Sequence, residues 1–153
     1  MQVFAWLAVQ DRLWTADRLA RRGWPNQRLC PLCHSTDESL GHLLAHCQYS
    51  QRIWSAVRTW TEGQFPDPSG WASFESVSIW WRAVGKAEGM PIKAIRSLTI
   101  LVTWELWKER NARIFQRHHS TAERLIAEIK EEARTWCLAG AKRLKEIFSR
   151  VVL

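Results

Sequence analysis

The sequence has a single tyrosine and no run of about 18 consecutive apolar residues. The second absence predicts that no helix spans a membrane. A secretory leader is not expected either: the apolar start, Phe4 to Val9, has no basic lead-in and is followed at once by Asp11 and Arg12. No segment alternates apolar and polar residues as half-buried strands do, and no internal repeat is evident. A nucleophile motif, a glycine-rich phosphate loop and a paired-acid signature are all missing, as is the aspartate pair of a polymerase palm. The chain is therefore expected not to be an enzyme and to have no small-molecule substrate.

What is present points to a packed helical protein. Hydrophobic residues make up 46 % of the 153, enough for a core rather than a disordered chain. Eleven tryptophans stand against the lone tyrosine. Trp6, Trp14, Trp54, Trp80, Trp81, Trp104, Trp107 and Trp136 lie in helix-like runs. Most should sit in a core or groove, because an exposed indole wastes apolar area. The formal net charge is +7, and its excess is uneven. Residues 1–62 carry seven Lys/Arg against five Asp/Glu, residues 63–81 none against two, and residues 82–153 fifteen against eight. Such a balance favours an anionic partner, RNA or DNA, met through phosphate contacts. An intracellular setting, the nucleus included, is expected, and there four cysteines read as metal ligands before disulfides.

The sharpest signal lies between Leu29 and Trp54, which hold three of the four cysteines and three of the five histidines. Cys30 and Cys33 form a C-x2-C pair, and His42 and Cys47 follow at H-x4-C spacing. Three thiolates and one imidazole complete a tetrahedral set for one structural Zn²⁺. His42 is the expected fourth ligand, with His34 and His46 as the alternatives. Four protein ligands leave no open position for catalysis. Their formal charge of −1 with the metal suits a staple better than a phosphate contact. One difficulty is geometric: on a continuous ideal helix His42 and Cys47 point roughly 140° apart. Both reach one metal only if the helix starts late or is distorted between them.

Taken in order, residues 3–13 suit a first helix, with Trp6, Val9 and Leu13 near one face. Thr15 is placed to cap a short second helix that ends before Gly23. Ser35 and Glu38 fit a capping box for a helix running to about Trp60. Gly63 to Gly70 reads as a connector, and Trp71, Phe74, Val77, Trp81 and Val84 as one helical stripe. Gly85, Gly89 and Pro91 should end that helix, with Pro91 in the first turn of the next. Ile92 to about Phe115, apolar on more than one side, should be the most buried helix. A break at His118 and His119 precedes a second capping box, Ser120 with Glu123. The last helix carries Leu125, Ile129, Ala133, Trp136, Leu144 and Ile147 on one stripe, with a kink expected at Gly140. Cys137 reads as a core residue. The fold class is all-α: an irregular helical array with a small zinc-stapled loop–helix module. The expected organisation is a zinc-binding module over 1–62, a connector over 63–70, and a helical region over 71–153, packed on the module or semi-independent.

Two basic groups are candidates for nucleic-acid contact. Arg110, Arg113 and Arg117 fall at i, i+3, i+7 on one predicted face, with Lys108 beside them. Arg18, Arg21, Arg22 and Arg28 form a basic approach to the zinc loop. The competing reading of the first group is a solvated helix end whose cations complement the dipole, with Glu109 pairing Arg113. Lys142, Arg143 and Lys145 read as solvent-exposed turns.

Several of these residues also form a recognisable order: Phe4-Ala5-Trp6, Arg12-Leu13-Trp14-Thr15, Leu19, Arg22, Cys30-Pro31-Leu32-Cys33, Glu38-Ser39, His42-Leu43, Cys47 and Trp54. Over about residues 3–57 this resembles the reverse-transcriptase zinc-binding domain found downstream of the polymerase in plant LINE-type (non-LTR) retrotransposons. Trp104-Glu105-Leu106-Trp107-Lys108-Glu109-Arg110-Asn111-Ala112-Arg113-Ile114-Phe115 is similar to the W-x-x-W-x-x-R-N-x-R-x-F segment that often follows it. The resemblance implies that Cys30, Cys33, His42 and Cys47 occupy the ligand positions, and that the role is nucleic-acid handling beside a reverse transcriptase. The segment preceding the Phe-x-Trp motif, the polymerase and the endonuclease are not in this sequence, so reverse transcription is not carried over. A non-catalytic, nucleic-acid-binding remnant or fragment of a retroelement polyprotein is expected. The rivals are a protein–protein or homodimer module built on the tryptophans, and a relic without selected function.

Overall fold

A computed structural model describes residues 2–87 and 91–139. Within them the regular structure is helical, and the one β feature is an isolated antiparallel bridge between Leu29 and Asp37. Six α-helices appear in order: α1 Gln2–Val9, α2 Ala16–Arg21, α3 Gln48–Trp60, α4 Val77–Gly85, α5 Ile92–Phe115 and α6 Ala122–Leu138. A π-helical turn, His42–His46, precedes α3, and a 3-10 helix, Pro68–Ser73, lies between α3 and α4. The all-α expectation holds.

Helix α5 is the axle. It packs on α1, α4, α6 and the π-turn, and α3 packs on α6. Its buried residues run from Ala94 to Arg110 and occur on more than one side, as its apolar pattern requires. Buried side chains from Phe4 in α1 to Cys137 in α6 form one continuous hydrophobic cluster, so Cys137 is a core residue as expected.

The tryptophans divide into three classes. Trp54, Trp71 and Trp80 are buried with Phe65, in ring contacts of 5.2–6.4 Å that are mostly edge-to-face. The Trp54 indole N–H donates to the Leu44 carbonyl at 2.7 Å, which ties this knot to the π-turn. Trp81, Trp104, Trp107 and Trp136 are half-buried against the core. Trp6, Trp14 and Trp24 are instead exposed, at 56 %, 42 % and 49 %.

Several boundaries differ from the sequence pattern. Helix α1 stops at Val9, and Asp11 turns the chain with φ 53°. The single stripe expected from Trp71 to Val84 is two elements. Asp67 caps the 3-10 helix, Phe74 is extended, and Ser76 then accepts from the Ile79 N–H to start α4. Pro91 is the N-cap residue of α5 rather than part of its first turn. Thr121, not Ser120, caps α6 by accepting from the Arg124 N–H at 3.2 Å. Glu123 reaches outward to Arg52 instead of back to the cap. Gly89, Gly140, Lys142, Arg143, Leu144, Lys145 and Ile147 lie outside the described residues.

At the end of α2 the chain forms a Schellman motif. Gly23, at φ 70°, donates to the Ala20 carbonyl, and Trp24 donates to that of Leu19. A residue with a Cβ would be strained at that φ. The motif fixes Trp24 over the end of its own helix, where its ring meets Trp14 at 5.2 Å.

Candidate metal centre

The cysteine pair sits in a tight loop closed at its base. Glu38 N–H donates to the Arg28 carbonyl, and Cys30 N–H to that of Thr36, both at 2.8 Å. Inside it, His34 N–H turns back to the Cys30 carbonyl at 2.8 Å, with His34 at φ 56°. That turn brings Cys30 and Cys33 to one side. The other two ligands come from the π-turn. Its ladder ends with the Cys47 N–H donating to the His42 carbonyl at 2.7 Å, five residues back. Cys47 itself leaves the helical region, at φ −59° and ψ 138°, before α3 starts. A wider turn with an extended exit resolves the 140° difficulty: His42 and Cys47 are brought to the same point.

The four ligand atoms all lie within 4.8 Å of one another. Cys30 Sγ and Cys47 Sγ are 3.9 Å apart, and Cys33 Sγ and His42 Nε2 are 3.4 Å apart. Tetrahedral Zn²⁺ with Zn–S near 2.3 Å and Zn–N near 2.0–2.1 Å requires about 3.8 Å between sulfurs and about 3.5 Å between sulfur and nitrogen. The residues therefore fit the metal. The other candidate ligands face elsewhere. His46 Nε2 lies 3.0 Å from the Trp71 carbonyl, and exposed His34 stacks on His119 at 6.4 Å. Cys30, Cys33, His42 and Cys47 make one structural zinc site, and no other such cluster occurs among the described residues.

The ligand groups shift one another's proton affinities. Cys30 donates to Cys47, and this bond with burial pushes the Cys30 thiol up to about 12. The same bond lowers Cys47, and contact with the two neighbouring thiols raises His42. Zinc binding must displace the protons these groups hold.

What surrounds the loop overturns part of the sequence reading. Glu38 does not cap the helix after it; it is buried and receives a bidentate clamp from Arg110, Nε to Oε2 and Nη2 to Oε1, each at 2.8 Å. Its Oε1 also accepts from Gln27 Nε2 and from the Ala16 N–H, the first residue of α2. Glu38 thus caps a helix, but one 22 residues earlier in the chain. Arg110 gives a further bond to the Trp14 carbonyl at 3.1 Å. One turn on, Arg113 donates to the carbonyls of Pro31 and Leu32, between the paired cysteines, at 2.9 and 3.3 Å. Its Nε pairs with Glu109 at 2.8 Å, and its face lies over Tyr49. The Glu109 Oε2 also accepts from the Ser120 N–H, which ties the start of the α6 segment to the same node.

Arg110 and Arg113 are therefore engaged in ion pairs inside the protein, whereas the sequence pattern places them on an open stripe with Arg117. Arg117 is not on their face either. It lies past the end of α5, exposed, at φ 50°. Lys108 is paired with Glu105 at 2.8 Å and sits beside the Trp104 ring. In the other group Arg18 is half-buried, stacked on Trp14 at 4.5 Å and bonded to the Asp11 carbonyl. Arg21 and Arg28 are exposed, with loose or solvent-facing partners in Asp17 at 3.6 Å and Asp37 at 2.6 Å. Arg22 and Arg117 are exposed, and neither side chain makes an ion pair or hydrogen bond among the described residues. The Arg110–Glu38 bond joins residues 72 apart, a pairing that no local sequence signal announces.

Residues 1–54 match the protein family described as zinc-binding in reverse transcriptase. The match contains all four metal ligands and Glu38, and it ends at Trp54, on α3. No curated protein and no solved structure matches the chain. No described helix is long and apolar enough to cross a membrane.

Proposed function

We propose that the chain is a non-catalytic, zinc-stapled helical module that binds nucleic acid, derived from the reverse-transcriptase polyprotein of a plant LINE-type (non-LTR) retrotransposon. The observation that carries this reading is the division of the arginines. Those of α5 are consumed in holding the zinc loop, whereas Arg21, Arg22, Arg28 and Arg117 present charge to solvent. The match over residues 1–54 supports the reverse-transcriptase origin, and the tryptophan–arginine segment on α5 supports the plant non-LTR type. Zinc has four protein ligands and supplies rigidity, so it offers no open position to a substrate.

Phosphate contacts by exposed arginines release counterions, so affinity for RNA or DNA should fall steeply with salt, by about 0.7–0.9 in log–log slope per phosphate neutralised. A Kd titration from low to moderate salt tests this, and a flat dependence counts against it. The rival reading, a homodimer or protein-docking module, draws on exposed Val3, Trp6 and Ile79. Mass that rises with concentration, with no nucleic-acid binding, would favour it.

A further inference from the structure

Three of the four exposed aromatic residues among those described, Trp14, Trp24 and Phe115, belong to one region. Trp14 on the loop before α2 and Phe115 at the end of α5, 42 % and 75 % exposed, line one open groove of about 710 Å³. Leu19, Pro25, Trp107 and Ile114 complete its apolar walls. Trp24, held by the Schellman turn, extends the wall through its 5.2 Å contact with Trp14. The floor is electrically neutral, because Arg110, which lines it, is clamped by Glu38. The segment that forms one rim is cationic: between Trp14 and Arg28 there are four arginines and one acid, Asp17. Arg117 adds an unpaired cation just beyond Phe115.

An apolar groove lined by two segments that carry exposed arginines close by in the chain matches one chemistry well. Unpaired bases offer π-faces to the groove and their phosphates to those arginines; a duplex offers only the phosphates, its bases being stacked on one another. Arg18 lies over the Trp14 ring at 4.5 Å, a cation–π contact on one of its faces. We infer that this groove, between the exit of α2 and the C-terminal end of α5, binds single-stranded nucleic acid by stacking bases on Trp14, Trp24 and Phe115, with phosphates on Arg21, Arg22 and Arg117. This rests on the nucleic-acid reading above and adds to it a strand preference and a place. The zinc site contributes indirectly, since the Glu38 that ends its loop also anchors Ala16 at the start of α2.

The test is fluorescence anisotropy with the zinc-loaded full chain against labelled oligouridylate, oligothymidylate and a duplex of the same length. The single strands should bind at least about tenfold tighter than the duplex, with quenching of tryptophan emission. Phe115→Ala and Trp24→Ala alter exposed side chains and should each weaken single-strand binding by about tenfold while leaving duplex binding and melting temperature unchanged. Equal affinity for single strand and duplex, with both variants silent, would overturn the groove while leaving nucleic-acid binding in place. Failure to bind any of the three probes would overturn both. A dimer in light scattering that Phe115→Ala dissociates, with no effect on single-strand binding, would assign the groove to a second copy and overturn the inference. Oligouridylate against oligothymidylate tells RNA from DNA.

Discussion

Arg110 and Arg113 on α5 and Arg21 and Arg22 at the end of α2 are the same residue type, each pair carried by a helix or its cap, yet they do opposite work. Arg110 is buried on the Glu38 carboxylate and the Trp14 carbonyl, and the largely covered Arg113 guanidinium is held by Glu109 and the carbonyls of Pro31, Leu32 and Ser120. The α2 pair projects into water, where ion pairs contribute little. The difference is set by what lies opposite. Glu38 and Glu109 are buried acids that need a partner, and the carbonyls of Pro31 and Leu32 would be poorly satisfied without a donor. The arginines supply both needs and thereby bind the zinc loop to the helical array. Charge counted along a sequence says where arginines are; only the partners say which remain available to a ligand.

The sharpest way to break this contrast is to remove the metal. Structural zinc contributes about 10–16 kcal/mol in small zinc peptides. A strong chelator should therefore unfold the segment from Leu29 to Cys47 and lower the melting temperature by at least about 10 °C, at roughly 2–4 °C per kcal/mol for a domain of this size. Zinc loading should also weaken as pH falls. Cys30, pushed up to about 12, and His42, raised, hold protons that the metal must displace, and acid favours the protonated forms. Competition titrations with a zinc indicator at several pH values would read this directly.

Next in size are the buried pairs. Arg110→Ala leaves Glu38 charged and buried, a loss of about 3–5 kcal/mol, and Glu38→Ala strands Arg110 similarly. Denaturant melts of the two single variants and the double should show strong coupling, the double costing much less than the sum. Arg113→Ala should cost about 2–3 kcal/mol and weaken zinc affinity by roughly 10–100-fold, because its guanidinium holds the backbone between the paired cysteines. The smallest stability effect belongs to the exposed set. Arg22→Ala with Arg117→Ala should change stability by less than about 0.5 kcal/mol per site. The same pair should lower the salt slope of single-strand binding by about one per residue. Should Arg110→Ala alone reduce that slope with no loss of stability, the division between the two sets would be gone.

Much of this was legible without coordinates, for identifiable reasons. The apolar periodicity of Ile92 to Phe115 matches α5 end to end, because a helix buried on several sides leaves a long uninterrupted signal. The ligands were legible because metal chemistry restricts residue types and spacing. The Ser35–Glu38 capping box was misleading: the same S-x-x-E pattern arises where a carboxylate is wanted by Arg110 in a distant helix. Tertiary pairing outweighed a local rule. The Trp71–Val84 stripe ran through a non-helical Phe74 because the 3-10 helix and α4 press the same tryptophan knot. The π-turn had only an indirect signature, the mismatch between H-x4-C spacing and an ideal helix. The groove had none, since Trp14, Trp24 and Phe115 come from three separate segments that only the tertiary fold brings together.

The most direct test is the zinc content of the purified chain beside its Cys33→Ser variant, measured with helicity and melting temperature. About one zinc per chain in the first, and loss of both metal and stability in the second, is the expected result. Zinc-free protein that keeps the same helicity and melting temperature with or without Cys33 would contradict it.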